Sequence, residues 1–139
     1  MIKLKNYDTK PPEDIEKSKL KDLTDEYVER LGDLQAILRA QRKHSVLVVF
    51  QGMDASGKDG AVKKVFRECL HDGVSVYSFK KPTPIEMSRD FLWRVHKQVP
   101  ARGEIKIFNR SHYEDVLIQR VHSWISEDRV KKRMQAINS

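Results

Sequence analysis

Ser45-Val46-Leu47-Val48-Val49-Phe50-Gln51-Gly52-Met53-Asp54-Ala55-Ser56-Gly57-Lys58-Asp59-Gly60 decides the fold. Its opening residues form a continuous apolar run rich in β-branched side chains, the pattern of a strand buried on both faces of a parallel sheet. Gly52, Gly57 and Lys58 then satisfy the spacing G-x-x-x-x-G-K. From Gly60 to Leu70, Val62, Val65, Phe66, Cys69 and Leu70 share one helical face, and His71-Asp72-Gly73 is placed to end that helix. Strand, glycine loop and helix occur in the order that a phosphate cradle requires.

The physics of such a loop is simple. Glycines let the backbone wrap an oxyanion, main-chain N–H groups point inward, and the following helix presents its positive dipole end. The segment Gly52, Ala55, Ser56, Gly57, Lys58, Asp59 and Gly60 is therefore the predicted phosphate-binding set, with Lys58 supplying a mobile charge. The position after Lys58 normally carries a serine or threonine that ligates magnesium, and here it is Asp59. Asp59 and Asp54 become candidates to offer hard oxygen to the metal, Asp54 first. The competing reading of Asp54 is a loop carboxylate that bonds nearby amides.

Working outward toward the C-terminus, residues 74–79 read as a second strand, followed by Lys80-Lys81-Pro82. Those lysines stand at the same rim as the loop, either to grip a chain of phosphates or as a solvated basic turn. Thr83-Pro84-Ile85-Glu86 carries a capping-box pattern with proline in the first turn, predicting a helix that runs to about Gln98. On it, Arg89, Arg94 and Lys97 are expected on a solvated face and Trp93 in the core. Residues 104–108 read as a third strand and 113–124 as a helix, and the chain is still helical in character at Met134 to Ser139. Between them lies Asn109-Arg110-Ser111-His112, where doubly wound folds place functional residues. Arg110 can meet a transferring phosphoryl group with a planar donor fork, or pair with Glu114 or Asp115. His112 is read as structural.

Toward the N-terminus, Leu20, Leu23, Tyr27, Leu31, Leu34 and Leu38 recur at steps of three and four within a helix predicted over 13–44, and this stripe should pack on the core. An extended arm with Pro11-Pro12 precedes it. The domain organisation is thus an N-terminal arm and long helix over 1–44 and an α/β core over 45–139. Strands alternating with helices imply parallel units with helices on both sheet faces.

With 39% hydrophobic and 34% charged residues, the chain is too apolar to be disordered and too polar for a bilayer. Its 27 basic against 20 acidic residues, a net charge of +7, favour an anionic partner, with nucleic acid, anionic membrane and polyphosphate all qualifying. The single Cys69 cannot form an internal disulfide and reads as a buried, inert thiol in a reducing cytoplasm.

The stretches GMDASGKDG, FKKPTP, RDFLWRVH and GEIKIFNRSHYEDVL, in this order and spacing, resemble the polyphosphate kinase 2 family from about Leu4 onward. The resemblance implies a P-loop kinase core, magnesium, polyphosphate as phosphoryl donor and AMP or ADP as acceptor, with ATP reachable because the reaction is reversible. It matches Asp54 and Lys58 to the family's essential loop residues, and Asn109 and Arg110 to its second motif. Many members carry aspartate where this chain has Asn109, which shifts any need for a charged ligand or base onto Asp54. The expected setting is the cytoplasm and the expected assembly a homo-oligomer, with neither nucleic acid nor membrane as partner. Family members continue with a mobile lid and further strands, so the core is expected to be incomplete at its C-terminus with one sheet edge unpaired. Two further readings stay open: a non-catalytic polyanion-binding module, and a P-loop kinase that uses ATP as donor.

Overall fold

The computed structural model describes residues 16–139, so the predicted arm over 1–13 lies outside the described residues. Within them the order is α1 (Lys17–Gln41), β1 (Val46–Phe50), α2 (Lys58–Val65), β2 (Val74–Ser78), α3 (Pro84–Met87), α4 (Trp93–His96), β3 (Ile105–Asn109), α5 (Glu114–Val121) and α6 (Glu127–Asn138). The three strands form one parallel sheet in the order β1-β3-β2. The predicted α/β class holds, and the first and third strands are neighbours.

Side chains on alternate positions of a strand face opposite sides, and β3 builds a core on each. Ile105 and Ile107 pack with Val62 of α2 and with Leu38, Val48, Phe50, Phe66 and Val74. Phe108, on the other side, packs with Phe79 and Val95, flanked by Tyr77 and Leu92. The rings of Phe79 and Phe108 meet edge to face at 4.8 Å, an arrangement worth about 0.5–1.5 kcal/mol beyond area burial. Helices therefore cover both faces.

The strand buried on both faces is β3, not β1. Because β3 is central, Ile107 and Phe108 are fully buried, whereas β1 lies at an edge with Leu47 and Val49 about 40% exposed. Hydrophobic content predicted the strand but could not rank its place in the sheet.

Helix α1 is also rotated from expectation. Val28 and Gln35 are its buried residues, and Leu31 and Leu38 turn partly inward, but Leu20, Leu23, Tyr27 and Leu34 are exposed, together with Ile37. A buried glutamine explains the rotation: Gln35 Oε1 accepts from the Leu70 N–H at 3.0 Å, satisfying a backbone donor where the chain leaves α2. Gly73 makes this approach possible, since a Cβ there would lie 2.0 Å from Gln35 Nε2.

The single helix predicted from Thr83 to Gln98 is two short ones. The capping box forms as expected, Thr83 Oγ1 accepting from the Glu86 N–H and Glu86 accepting from the Thr83 N–H. Then Asp90 Oδ1 accepts from the Leu92 N–H at 2.9 Å and its carbonyl accepts from the Trp93 N–H, a local side-chain turn that competes with helix continuation. Helix α2 likewise begins at Lys58, inside the loop, and ends at Val65, leaving Leu70 exposed instead of on the buried helical face.

Candidate active site

Parallel register brings the ends of the three strands level: Phe50 and Ser78 both stand opposite Asn109. The segments that follow them, Gln51 to Gly57, Phe79 to Lys81 and Arg110, therefore share one rim. Backbone bonds pin that rim, the Arg110 N–H donating to the Phe50 carbonyl at 2.9 Å and the Phe79 N–H to the Asn109 carbonyl at 3.2 Å.

The loop has the conformation that its glycines permit. Gly57 sits at φ 86° as the residue before α2, in the left-handed region that side chains disfavour. Ala55 is also at positive φ, 61°, as is Arg110 at 65°. Strained backbone of this kind persists where surrounding contacts fix it, and both residues line the same cavity.

Lys58 folds back over the loop. Its ammonium donates to the carbonyls of Gly52 at 2.9 Å and Met53 at 2.6 Å and lies 3.3 Å from Ser56 Oγ. Arg110 Nη2 donates to Asp54 Oδ1, and Asn109 Nδ2 donates to Asp59 Oδ1, so strand β3 and the loop are joined by two side-chain contacts. The alternative ion pairs of Arg110 with Glu114 or Asp115 do not form: Glu114 accepts from Gln51 at 2.7 Å and Asp115 is buried against Arg94.

Around this point lies a cavity of about 560 Å³. Its walls include Asp54 to Gly60, Lys80, Lys81, Asn109 and Arg110, together with Ser78 and Phe79. Every residue predicted to bind phosphate or metal or to act in catalysis lines it except Gly52, whose carbonyl accepts from Lys58. His112 lines neither this cavity nor the second one described below. Burial pushes its pKa down against the opposing pull of Asp115, which keeps the ring neutral.

A second cavity of about 730 Å³ shares Lys81 with the first. It lies beside α3 to α6 and includes Phe91, Trp124, Arg94, Arg129 and Arg133. Lys81 Nζ lies 5.4 Å from the centre of the Trp124 ring, and Arg133 lies 4.8 Å from that of Phe91.

Sequence reasoning missed two features. Ser111, fully buried, donates through Oγ to Gln51 Oε1 at 2.8 Å, bracing the β3 exit against the β1 exit. Arg94, expected on a solvated face, is 5% exposed. Its Nε and Nη2 reach Asp115 Oδ2 at 3.1 and 2.8 Å, and its Nη1 reaches the Lys80 carbonyl at 2.8 Å. No helical period betrays this, because α4 is a single short turn.

The family model for polyphosphate kinase 2 matches residues 14–139. This chain belongs to the polyphosphate kinase 2 family. It is 53% identical over 108 residues to the AMP/ADP-polyphosphate phosphotransferase of Meiothermus ruber, covering 78% of this chain and 40% of that protein. Against the ADP-polyphosphate phosphotransferase of Rhodopseudomonas palustris it is 53% identical over 95 residues, 68% of this chain and 33% of the relative. The crystal structure of polyphosphate kinase 2 from Arthrobacter aurescens superimposes with a TM-score of 0.92 at 40% identity, covering 99% of this chain and 50% of that one. The chain therefore spans half or less of the length of these relatives. Its P-loop kinase-like fold is shared with the Arthrobacter aurescens structure over 99% of the chain.

Proposed function

We propose that this chain carries the phosphate-gripping part of an enzyme that transfers phosphoryl groups between inorganic polyphosphate and adenine nucleotides, AMP and ADP as acceptors and ATP as product. The observation that supports this most is the meeting of Lys58, Lys80, Lys81 and Arg110 with the loop backbone around one cavity. Cations and amide donors in that number suit a linear polyanion better than a single phosphate.

In this reading, loop amides and Lys58 hold the phosphates, Lys58 exchanging its contacts with Gly52 and Met53 for phosphate oxygens. Arg110 moves from Asp54 to the transferring group, where its fork offsets developing charge, and Lys80 or Lys81 steadies the neighbouring phosphates. Asn109 keeps Asp59 in place. The acceptor enters by the second cavity, whose Phe91 and Trp124 offer apolar faces to a base and whose Arg129 and Arg133 suit its phosphate.

Magnesium fits the residues present. Asp54 and Asp59 both line the first cavity, and magnesium is commonly bound by one or two carboxylates plus substrate phosphates. Among the described residues no group of three or more His, Cys, Asp and Glu gathers that could hold a metal ion. When bound, the ion would supply positive charge to neutralise the phosphate oxygens. A cytoplasmic homo-oligomer completes the reading, supported by the buried thiol of Cys69 and the apolar stripe exposed on α1.

The test is ATP formation from ADP, magnesium and polyphosphate, followed by a luciferase-coupled assay on this chain and on the longer protein that carries it. Polyphosphate-dependent ATP formation lost in Asp54→Asn and Lys58→Ala supports the proposal. Binding of polyphosphate by both proteins without turnover in either would instead favour a polyanion-binding module, and turnover with ATP alone as donor would favour a general P-loop kinase.

A further inference from the structure

Arg94 belongs to no part of the phosphate cradle, yet it is among the most enclosed charges in the molecule. Its side chain is 6% exposed and that of its partner Asp115 is 3% exposed. A charge is retained at such a depth only when it is paired and hydrogen-bonded, and here every nitrogen of the guanidinium and both oxygens of the carboxylate have a partner. Nε and Nη2 go to one carboxylate oxygen of Asp115, and Gln119 Nε2 donates to the other at 3.0 Å. Nη1 goes to the Lys80 carbonyl, and the guanidinium lies 5.2 Å from the centre of the Phe79 ring.

These contacts fall on the two segments that frame the first cavity. Phe79 and Lys80 are the residues through which β2 delivers Lys80 and Lys81 to the rim. Asp115 opens α5 just after Arg110, the residue through which β3 reaches the same rim. The Lys80 and Lys81 side chains are exposed, and among the described residues neither has a hydrogen bond or an ion pair of its own to hold it. Apart from the contact of Lys81 with the Trp124 ring at 5.4 Å, their direction is set by the backbone that carries them, and Arg94 anchors that backbone through the Lys80 carbonyl.

We propose that Arg94, locked by Asp115, is a positioning residue for phosphate binding: its hold on the Lys80 carbonyl aims Lys80 and Lys81 into the cavity of the glycine loop. The inference rests on that cavity being the polyphosphate site. The guanidinium is required because three donors on one plane must serve a carboxylate and a carbonyl at once, which an ammonium on a flexible stem cannot reproduce.

The test is calorimetric titration of the chain with polyphosphate in a double-mutant cycle. Arg94→Lys keeps the charge that Asp115 needs and loses the fork. It is expected to weaken polyphosphate binding by about tenfold, the scale of one charge-assisted contact. In a Lys80→Ala/Lys81→Ala background the same change is expected to have no further effect, because the groups it aims are gone. Asp115→Asn, which keeps the shape of the carboxylate, carries the same cycle should Arg94→Lys unfold, as checked by thermal melting. Unchanged affinity in Arg94→Lys overturns the proposal, and so does a loss of equal size in both backgrounds, which marks a general structural role. Failure of the unmodified chain to bind polyphosphate removes the reading of the cavity itself, and this inference with it.

Discussion

Arg110, held at φ 65° at the exit of β3, spends its guanidinium on the loop carboxylate of Asp54. The pair joins the two motifs that flank the cavity, and it sets the cation proposed to meet the transferring group against the first candidate for metal binding. In the proposed function each neutralises the other until phosphate and metal arrive. With side-chain exposures of 41% and 84%, the contact is well hydrated and easily exchanged.

Removing the carboxylate should therefore separate binding from turnover. In the absence of magnesium, Asp54→Asn is expected to raise polyphosphate affinity by about two- to fivefold, since an exposed ion pair is worth up to about 1 kcal/mol. In the longer protein the same change is expected to abolish ATP formation. Calorimetry without metal and the coupled assay with it check the two halves. A fall in metal-free affinity would contradict the exchange.

Lys58→Ala is expected to weaken polyphosphate binding by at least tenfold, because a charge-assisted bond contributes about 1.5–3 kcal/mol. The variant should melt close to the parent, since the ammonium now serves only exposed groups of the loop, two carbonyls and the Ser56 hydroxyl. A comparison of binding isotherms and melting curves decides it. A lower melting temperature with unaltered binding would make Lys58 a brace for the loop instead.

The approach of α1 to the end of α2 depends on a glycine. A methyl group at Gly73 would meet Gln35 Nε2 at 2.0 Å, and Gln35 is 1% exposed with little room to turn. Gly73→Ala is expected to cost about 1–3 kcal/mol through overpacking, lowering the melting temperature by about 5–10 °C. In a Gln35→Ala background the penalty should shrink, as the clashing group is absent. Additive losses in the two variants would place the strain elsewhere.

Acid should destabilise the chain through His112. Burial lowers the pKa of the folded imidazole below its ordinary 6.5, so the unfolded chain binds the proton more readily. Stability from this group is complete above 6.5 and is lost as pH falls from there through the lowered folded value. Glu86, whose carboxylate is held down chiefly by the Thr83 amide, acts only lower, from about 4.5 downward. Denaturant melts at pH 7.5 and 5.5 are expected to show lower stability at 5.5 in the parent and a flatter response in His112→Leu. Equal pH dependence in both would remove His112 as the cause.

The loop and its rim were legible in the sequence because their signals are local. Gly52, Gly57 and Lys58 act through spacing along the chain, and strand ends in parallel register bring Lys80, Lys81, Asn109 and Arg110 to one side. What escaped depends on tertiary context. Periodicity assigned α1 a helix but not which flank faces inward, a choice made by Gln35 and the donor at Leu70. Likewise, Arg94 on a polar-looking segment gave no sign that Asp115, 21 positions on, would take it into the interior.

The most direct test of the central claim is nuclear magnetic resonance of the 15N-labelled chain titrated with tripolyphosphate. The expected result is saturable movement of the backbone amide signals of Ala55 to Gly60, and its disappearance in Lys58→Ala. Amide signals that stay fixed along this loop while others move, or no movement at all, would contradict it.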